Sequence, residues 1–291
     1  MNKVIFDEKS HKYWLNGSRL ISGTQVYRLF SKPYNEEYWL SYKAIQSILG
    51  EKKFKEQKKI MFKGQVSPKI EDMIMLMLPP DSLEKYSVER QKFKIDWEKE
   101  RVRASTMGTA FHKEREDEDI KNGFAINPFT EETVKVVSWE KKHDNESYPG
   151  GLKEMPDGYY PEALLFDEEY MVAGQADRLF IKTIDDIRYF YLDDYKSNKE
   201  KPVFKSWGFS NCLEPISHLV DCKYNAYAIQ SSVYSYMLER QGFVQAGAAI
   251  THVTDYDVEK MELIKMPYYK EEVINMFDMI KKMNIIELIQ E

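Results

Sequence analysis

Residues 170–197 read YMVAGQADRLFIKTIDDIRYFYLDDYKS, two apolar-rich segments joined by Asp185-Asp186. β-Branched and aromatic residues favour extended chain in both segments, and the paired aspartates favour a turn between them. A third apolar segment precedes them at 162–167. We therefore predict three consecutive strands, at 162–167, 170–183 and 188–197.

The last of these strands ends in charged residues, with Asp194 and Lys196 two positions apart. Alternation along a strand points both side chains to one face. The hairpin brings Asp177 beside Asp194, and two converging carboxylates repel each other unless a cation lies between them. Mg²⁺ or Mn²⁺ suits such oxygen ligands, and Lys196 can hold a phosphate oxygen or position or deprotonate an attacking water. A surface ion pair is the alternative, but the apolar run at 189–192 favours a buried strand.

Two more polar pairs stand four residues apart in predicted helices, at 105–121 and 222–241, so each pair shares a helix face. In the first helix, which Ser105 or Thr106 would cap, His112 offers a metal ligand, and Glu116 offers a carboxylate for metal-bound water or for a second metal. In the second, the pair is Gln230 and Tyr234. Taken alone, the first pair is also typical of a solvated acidic helix and the second of packing residues.

The remaining elements alternate between helix and strand, which predicts an α/β fold. Asn16-Gly17 predicts an N-terminal β-hairpin, and Ser22 predicts the start of a helix. Residues 36–103 are mostly helical in pattern and are read as a helical insertion, with breaks at Gly50, Gly64, Pro68 and Pro79-Pro80. Strands are predicted at 244–254 and 260–266, a closing helix at 269–289, and irregular chain at 122–160 and 200–220.

Composition is typical of a soluble globular protein, with 43% hydrophobic and 31% charged residues in a chain of 291. The net charge of −6 excludes a uniformly basic nucleic-acid-binding protein, so a polyanion would be bound through a local positive patch or through metal ions. Residues 43–69 offer such a patch, with eight lysines and two glutamates. A solvated helix face is the alternative there.

Two cysteines, Cys212 and Cys222, are too few for a disulfide scaffold or a four-thiolate cluster. We therefore expect no iron–sulfur cluster and a reducing environment. The sequence has no signal-peptide-like start and no apolar run of membrane-spanning length. We expect a cytoplasmic protein without a membrane partner, in the host cytoplasm if a phage encodes it.

The ordered set of motifs resembles the PD-(D/E)xK nuclease superfamily, specifically its RecB-like exonuclease branch. That branch carries four motifs in order, and together their matches span about half of this chain. The matches are Gly108, His112 and Glu116 for a Gly-x-x-x-His helix with a following acid; Gly174 and Asp177 for a Gly-x-x-Asp strand; Asp194, Lys196 and Ser197 for Asp/Glu-x-Lys with a following Ser or Thr; and Gln230 and Tyr234 for a Gln-x-x-x-Tyr helix.

The resemblance implies a restriction-endonuclease-like core, a mixed central sheet flanked by helices, over 105–291 with its C-terminal helix. Residues 1–104 would form the hairpin and a basic helical subdomain. The implied roles are metal binding for Asp177, Asp194 and His112; catalysis for Lys196, with Glu116 as a supporting acid; and orientation of Lys196 or contact with substrate for Gln230, Tyr234 and Ser197. Glu162 lies where relatives often carry an acid, and we assign it a supporting role.

The N-terminal region resembles phage-type and mitochondrial genome maintenance exonucleases. The matching segments are His11-Lys12-Tyr13, Asn16-Gly17, Ile21-Ser22-Gly23-Thr24 and Ser31-Lys32-Pro33-Tyr34. In those relatives a helical region forms an arch over single-stranded DNA. The resemblance therefore implies that the basic helical segment 43–103 forms an arch over single-stranded DNA in this protein.

We expect a Mg²⁺- or Mn²⁺-dependent DNA exonuclease that threads single-stranded ends during recombination, repair or replication. Its partners would be DNA and proteins of a replication or recombination system. Two alternatives stay open. One is an endonuclease of the same fold that acts at branched or specific sites. The other is a non-catalytic protein of this fold that binds DNA or a protein partner.

Overall fold

The fold is seen in a computed structural model that describes residues 4–7, 9–63, 68–137, 146–149, 151–197, 201–202 and 210–283. Contacts group the chain into two units. The first combines residues 1–32 with 110–291, and the second consists of residues 33–109. None of the helices in these described ranges is long and apolar enough to cross a membrane.

Ten strands and seven α-helices are described. The strands are β1 (Val4–Asp7), β2 (Lys12–Leu15), β3 (Ser18–Ser22), β4 (Phe124–Ile126), β5 (Thr133–Lys135), β6 (Gly158–Asp167), β7 (Val172–Ile184), β8 (Ile187–Lys196), β9 (Val244–Val253) and β10 (Met261–Lys265). The helices are α1 (Gly23–Leu29), α2 (Glu36–Leu49), α3 (Glu51–Met61), α4 (Ile70–Met77), α5 (Leu83–Asn122), α6 (Lys223–Glu239) and α7 (Lys270–Lys282).

The first unit is an α/β structure with a large mixed sheet flanked by helices. Eight strands form the sheet in the order β1-β2-β3-β7-β8-β9-β10, and β6 also pairs with β7. The β7–β8 and β6–β7 pairs are antiparallel, whereas β3–β7 and β8–β9 are parallel. Strands β4 and β5 form a separate two-stranded sheet.

One edge of β7 is shared by two partners. Strand β6 pairs with β7 over residues 172–181, so it occupies the other edge. On the shared edge, β3 pairs with Val172 and Ala173, and β8 begins its ladder at Arg178. Positions 174–177 therefore have no ladder partner on this edge in the described part of the chain. This gap between β3 and β8 is where the candidate site lies.

Helices cover both faces of the sheet. Helix α6 packs against α1, α7 and β9, and its apolar residues join the main core, which includes Ile229, Val233 and Met237. On β8, Tyr195 packs on Phe111 of α5, whereas Lys196 lies over the Tyr227 ring of α6. Because consecutive strand residues point to opposite faces, the C-terminal part of α5 and helix α6 lie on opposite sides of the sheet.

The second unit is helical and contains α2, α3, α4 and the part of α5 up to residue 109. Its core is a cluster of buried apolar side chains: Ile45, Phe54, Met73, Met77 and Leu78. In α3 only Phe54 is buried, and the lysines around it are largely exposed. The basic helix α3 thus joins the core of the second unit through Phe54.

Most of the predicted elements are confirmed. Asn16 and Gly17 have the positive φ angles, 50° and 84°, of a tight hairpin turn, and Ser22 caps α1 in a capping box with Gln25. The three predicted central strands are β6, β7 and β8, with Asp185-Asp186 at the turn. Helix α7 ends at Lys282; positions 284–289 of the predicted closing helix, and the predicted break at Gly64, lie outside the described residues.

Other predictions differ from the structure. The predicted helix at 105–121, with its cap at Ser105 or Thr106, was wrong as a separate element, because α5 runs from Leu83 to Asn122. Residues 81–107 contain neither glycine nor proline that would end a helix. Strands β4 and β5 were not predicted. The division at residue 104 also differs, because β3 pairs with β7 and places residues 1–32 in the unit of the sheet.

Candidate metal site

Three acids occupy neighbouring positions on three adjacent strands. On β6, Glu162 lies between the pairs Pro161↔Arg178 and Ala163↔Ala176, so its position is opposite residue 177 of β7. On β8, Asp194 follows Asp193, which pairs with Arg178, so its position also adjoins residue 177. The sheet thus aligns Glu162, Asp177 and Asp194 in a row across β6, β7 and β8.

The carboxylate of Asp177 lies in the gap at the shared edge of β7. Its Oδ2 accepts a hydrogen bond from the backbone N–H of Tyr195, at 2.7 Å. This side chain thereby takes the place of a backbone carbonyl just beyond the last ladder pair of β7 and β8. The bond fixes Asp177 to the segment that carries Asp194 and Lys196.

Backbone strain marks the position of Glu162. Its φ is +49°, in the left-handed region that residues other than glycine rarely adopt. It interrupts the strand between two regular pairs of the β6–β7 ladder. Such strain persists where the surrounding structure holds it, and it is found most often at functional sites.

Helix α5 adds an imidazole to these carboxylates. Nδ1 of His112 lies 3.3 Å from Oδ2 of Asp177 and 4.0 Å from Oε1 of Glu162. One ligand atom from each of these three residues falls within 4.8 Å of those of the other two. Burial lowers the pKa of His112, but the charge and hydrogen bond of Asp177, with the charge of Glu162, outweigh burial and raise it.

Charge from the same group stabilises the ionised form of Asp177. Burial raises the pKa of Asp177, but His112, Lys196 and the N–H of Tyr195 act in the other direction and hold it below its usual value. The ionised carboxylate of Asp177, a second carboxylate and an imidazole can together bind a cation, and His112 gives up its proton when it does so.

On β8, Lys196 forms an ion pair with Asp194. Both side chains are largely buried, at 17% and 14% exposed. Burial holds the pKa of Lys196 below its usual value, and the charges of Asp177 and Glu162 offset only part of this effect. Ser197, the next residue, lies half-buried after the end of β8. The predicted neighbours Asp177, Asp194 and Lys196 are thus brought to one end of the β7–β8 pair.

Helix α6 faces the same region with Gln230 and Tyr234. The amide nitrogen of Gln230 donates to the hydroxyl oxygen of Tyr234 at 3.0 Å. Both residues line a small cavity together with Asp194 and Tyr227. Burial raises the pKa of Tyr234, so its phenol stays protonated and can donate a hydrogen bond. The structure therefore brings this predicted pair next to Asp194.

The structure distinguishes two acids that the sequence could not rank. Glu162, to which we had assigned a supporting role, belongs to the group with His112 and Asp177. Glu116 forms an ion pair with Lys113, at 3.1 Å, and lies outside that group. The role predicted for Glu116, that of a supporting acid, stays a prediction.

A buried ion pair behind the acids was missed in the sequence. Arg178 and Asp193 are each adjacent to one of the acids, Asp177 and Asp194, and their side chains pair at 2.9 Å. Strand alternation gave a signal for this, because a charge next to Asp194 on a buried strand must find a partner on the opposite face.

The ligand set fits a divalent cation. Carboxylate oxygens suit Mg²⁺ and Mn²⁺, and the imidazole nitrogen makes Mn²⁺ the better match of the two. His112, Glu162 and Asp177 would supply ligands directly, with Asp194 adjoining them on β8. The three carboxylates gathered in this sheet gap would repel one another without positive charge, which Lys196 and His112 supply only in part.

No model of a known protein family matches the chain, and no curated protein sequence matches it.

Proposed function

We propose that the protein is a Mg²⁺- or Mn²⁺-dependent DNA exonuclease with a restriction-endonuclease-like core. In this proposal it is a member of the RecB-like branch of the PD-(D/E)xK nucleases and hydrolyses phosphodiester bonds from single-stranded DNA ends. A role in DNA recombination, repair or replication goes with this activity.

One observation carries the proposal, the alignment of Glu162, Asp177 and Asp194 on adjacent strands with His112 and Lys196 beside them. A buried cluster of carboxylates with one lysine suits phosphodiester hydrolysis, because the reaction needs both a cation and a positive charge that is not metal-bound. A surface ion pair accounts for Asp194 and Lys196 but not for the convergence of Glu162 and His112.

Each residue has a part in the proposed reaction. A divalent cation held by Asp177, Glu162 and His112 would supply Lewis acidity at the phosphate. Lys196 holds a non-bridging phosphate oxygen or positions the attacking water. Asp194 adjoins the cation from β8 and also orients the lysine through their ion pair. Gln230 and Tyr234 of α6 line a cavity with Asp194 and offer hydrogen-bond donors to Asp194 or to the substrate. Water adds across one P–O bond, and the resemblance implies a 5′-phosphate product.

The second unit would contribute to binding of the DNA backbone. Helix α3 exposes lysines on both sides of its one buried residue, Phe54. Lys58 of α3 lies over the ring of Tyr42 in α2, 5.0 Å from the ring centroid, and Trp39 of α2 packs against the same ring. Positive charge with aromatic rings is the combination that binds single strands by backbone attraction and base stacking.

The test is cleavage of end-labelled DNA by the wild type and by the variants Asp177→Asn, Asp194→Asn and Lys196→Ala. Substrates carry the label at the 5′ or the 3′ end, as single or double strands, with Mg²⁺ or Mn²⁺. We expect cleavage by the wild type with metal and at least a hundredfold loss in each variant, about the size of a lost electrostatic contact to a transition state.

Covalently closed circular DNA separates the two nuclease activities, since an exonuclease leaves it intact and an endonuclease opens it. Full cleavage by all three variants would sink the assignment of the site. A wild type that binds DNA without cleaving it under any metal condition would instead support the non-catalytic alternative.

A further inference from the structure

A buried ion pair lies directly behind the proposed ligands. Arg178 of β7 and Asp193 of β8 are 11% and 0% exposed, and Nη1 of the arginine donates to Oδ2 of the aspartate at 2.9 Å. The two residues face each other as the last pair of the β7–β8 ladder. Their next neighbours along the chain are Asp177 and Asp194.

This ion pair faces away from Asp194. Because consecutive strand residues point to opposite faces, Asp193 lies on the opposite side of β8 from Asp194 and Lys196. There it accepts hydrogen bonds from the hydroxyl of Thr251 on β9, at 2.8 and 2.9 Å to its two oxygens. Asp193 therefore points away from the side chains of Asp194 and Lys196, and Arg178 and Thr251 hold it in place.

Arg178 connects further elements to the same point. Its second terminal nitrogen donates to the backbone carbonyl of Ile126 in β4, at 2.6 Å. Its guanidinium lies 5.2 Å from the ring centroid of Phe180 and 5.6 Å from that of Tyr195. Tyr195 is the residue whose backbone N–H holds the carboxylate of Asp177. Arg178 is thus connected to Asp177 in two ways. It is the next residue in the chain, and its guanidinium lies near the ring of Tyr195, whose backbone N–H binds Asp177.

A buried ion pair is a poor choice if stability alone is needed. Desolvation of both charges offsets much of their attraction, and apolar side chains of similar volume often stabilise a fold as well or better. The charged pair instead adds a defined geometry, because a guanidinium and a carboxylate bind each other in few relative orientations. This fixes the relative position of β7 and β8 at the point where the two strands cease to pair.

We propose that the Arg178–Asp193 pair, with Thr251, is a positioning device that sets the separation of Asp177 and Asp194 for a divalent cation. The inference rests on the proposed function in so far as it assigns a cation to these acids. Arg178 and Asp193 are positioning residues in this inference, since they pair with each other on the opposite face of the sheet from Asp194 and Lys196.

The test compares metal affinity with folding in the double variant Arg178→Met/Asp193→Val. Met and Val together fill about the volume of the original pair, and the β-branched Val suits a strand. We expect a cooperative thermal transition, as for the wild type, but Mn²⁺ binding weakened about 10- to 100-fold, the usual cost of losing support behind metal ligands. Free Mn²⁺, followed by electron paramagnetic resonance during titration, gives the affinity without any need for catalysis.

The matched control is Lys182→Met/Glu132→Val, which removes an exposed ion pair at the other end of β7 and should leave Mn²⁺ affinity unchanged. Should the Arg178 variant fail to fold, Asp193→Asn decides, because it keeps shape and loses charge; weaker Mn²⁺ binding by this folded variant is the expected result.

A folded double variant, or Asp193→Asn, that binds Mn²⁺ as tightly as the wild type overturns the inference. The proposed function then stands if the wild type cleaves DNA. A wild type that neither binds Mn²⁺ nor cleaves overturns both.

Discussion

The ring of Tyr234 occupies the space that a side chain at Gly174 would need. A Cβ at position 174 would lie 2.8 Å from Cζ of this tyrosine and 2.9 Å from its hydroxyl oxygen. A Cβ at Gly23, at the start of α1, would lie 2.7 Å from Cε1 of the same ring. Two glycines from different elements thus admit the tyrosine that pairs with Gln230 beside Asp194.

Gly174→Ala should therefore displace Tyr234. The added methyl meets a rigid ring in a closed site, and overpacking of this kind costs about 1–3 kcal/mol of the free energy of unfolding. Urea denaturation measures that loss. In the background of Tyr234→Ala the same substitution should cost little, because the ring is gone. Equal costs of Gly174→Ala in the two backgrounds would contradict the steric account.

Glu162→Gln and Glu116→Gln separate the two acids that the structure ranks differently. Glu162 shares a ligand group with His112 and Asp177, whereas Glu116 pairs with Lys113. We expect Glu162→Gln to remove most of the rise in melting temperature that Mn²⁺ gives the wild type, since ligand binding to the native state is what stabilises it. Glu116→Gln should keep that rise. The opposite order would return Glu116 to the site and remove Glu162 from it.

The sequence was enough to place Asp177, Asp194 and Lys196 together, because strand alternation and one hairpin fix their neighbourhood. It could not rank Glu162, whose approach to Asp177 depends on the β6–β7 register and on a positive φ that glutamate seldom adopts. Helical spacing put Glu116 on the face of His112 but said nothing of Lys113, which binds that carboxylate instead.

Long-range pairing explains the other differences between sequence and structure. The predicted N-terminal hairpin was grouped with the helical subdomain in residues 1–104, although β3 of the hairpin pairs with β7 of the sheet. Its partner, β7, lies about 150 residues later, and no local pattern reveals a parallel pair at Val172 and Ala173. The gap that this pairing leaves at positions 174–177 was invisible for the same reason.

Arg240 should contribute more to the free energy of unfolding than Lys182, although each forms a short ion pair. Its Nε donates to Oδ2 of Asp167, which is 2% exposed in its side chain, at 2.5 Å. Arg240→Ala leaves this buried carboxylate with backbone donors only, from Glu169 and Tyr170. We expect a loss of about 2–3 kcal/mol in the free energy of unfolding, measured in urea.

The matched control is Lys182→Ala, which breaks a 2.6 Å pair with Glu132 that is about half exposed on both sides. Exposed pairs contribute about 0–1 kcal/mol, so this variant should lie near the wild type. Equal losses for Arg240→Ala and Lys182→Ala would show that burial of Asp167 does not matter to the fold.

The exposed lysines of α3 should contribute to the binding of single-stranded DNA. Lys52, Lys53 and Lys59 are exposed on a helix whose one buried residue is Phe54. Their reversal in Lys52→Glu/Lys53→Glu/Lys59→Glu should weaken binding of a fluorescent single-stranded oligonucleotide and flatten its dependence on salt, since each lost phosphate contact removes about 0.7 from the logarithmic slope. The fold should persist, because none of the three side chains is buried.

The comparison variant makes the same charge change on α5, as Lys85→Glu/Lys92→Glu/Lys99→Glu, whose lysines are also exposed. Both variants have the same net charge, so an effect of overall charge would appear equally in both. If the α3 variant loses more affinity, and its affinity depends less steeply on salt concentration, then the lysines of α3 contact the DNA backbone. Equal losses would contradict a binding site confined to α3.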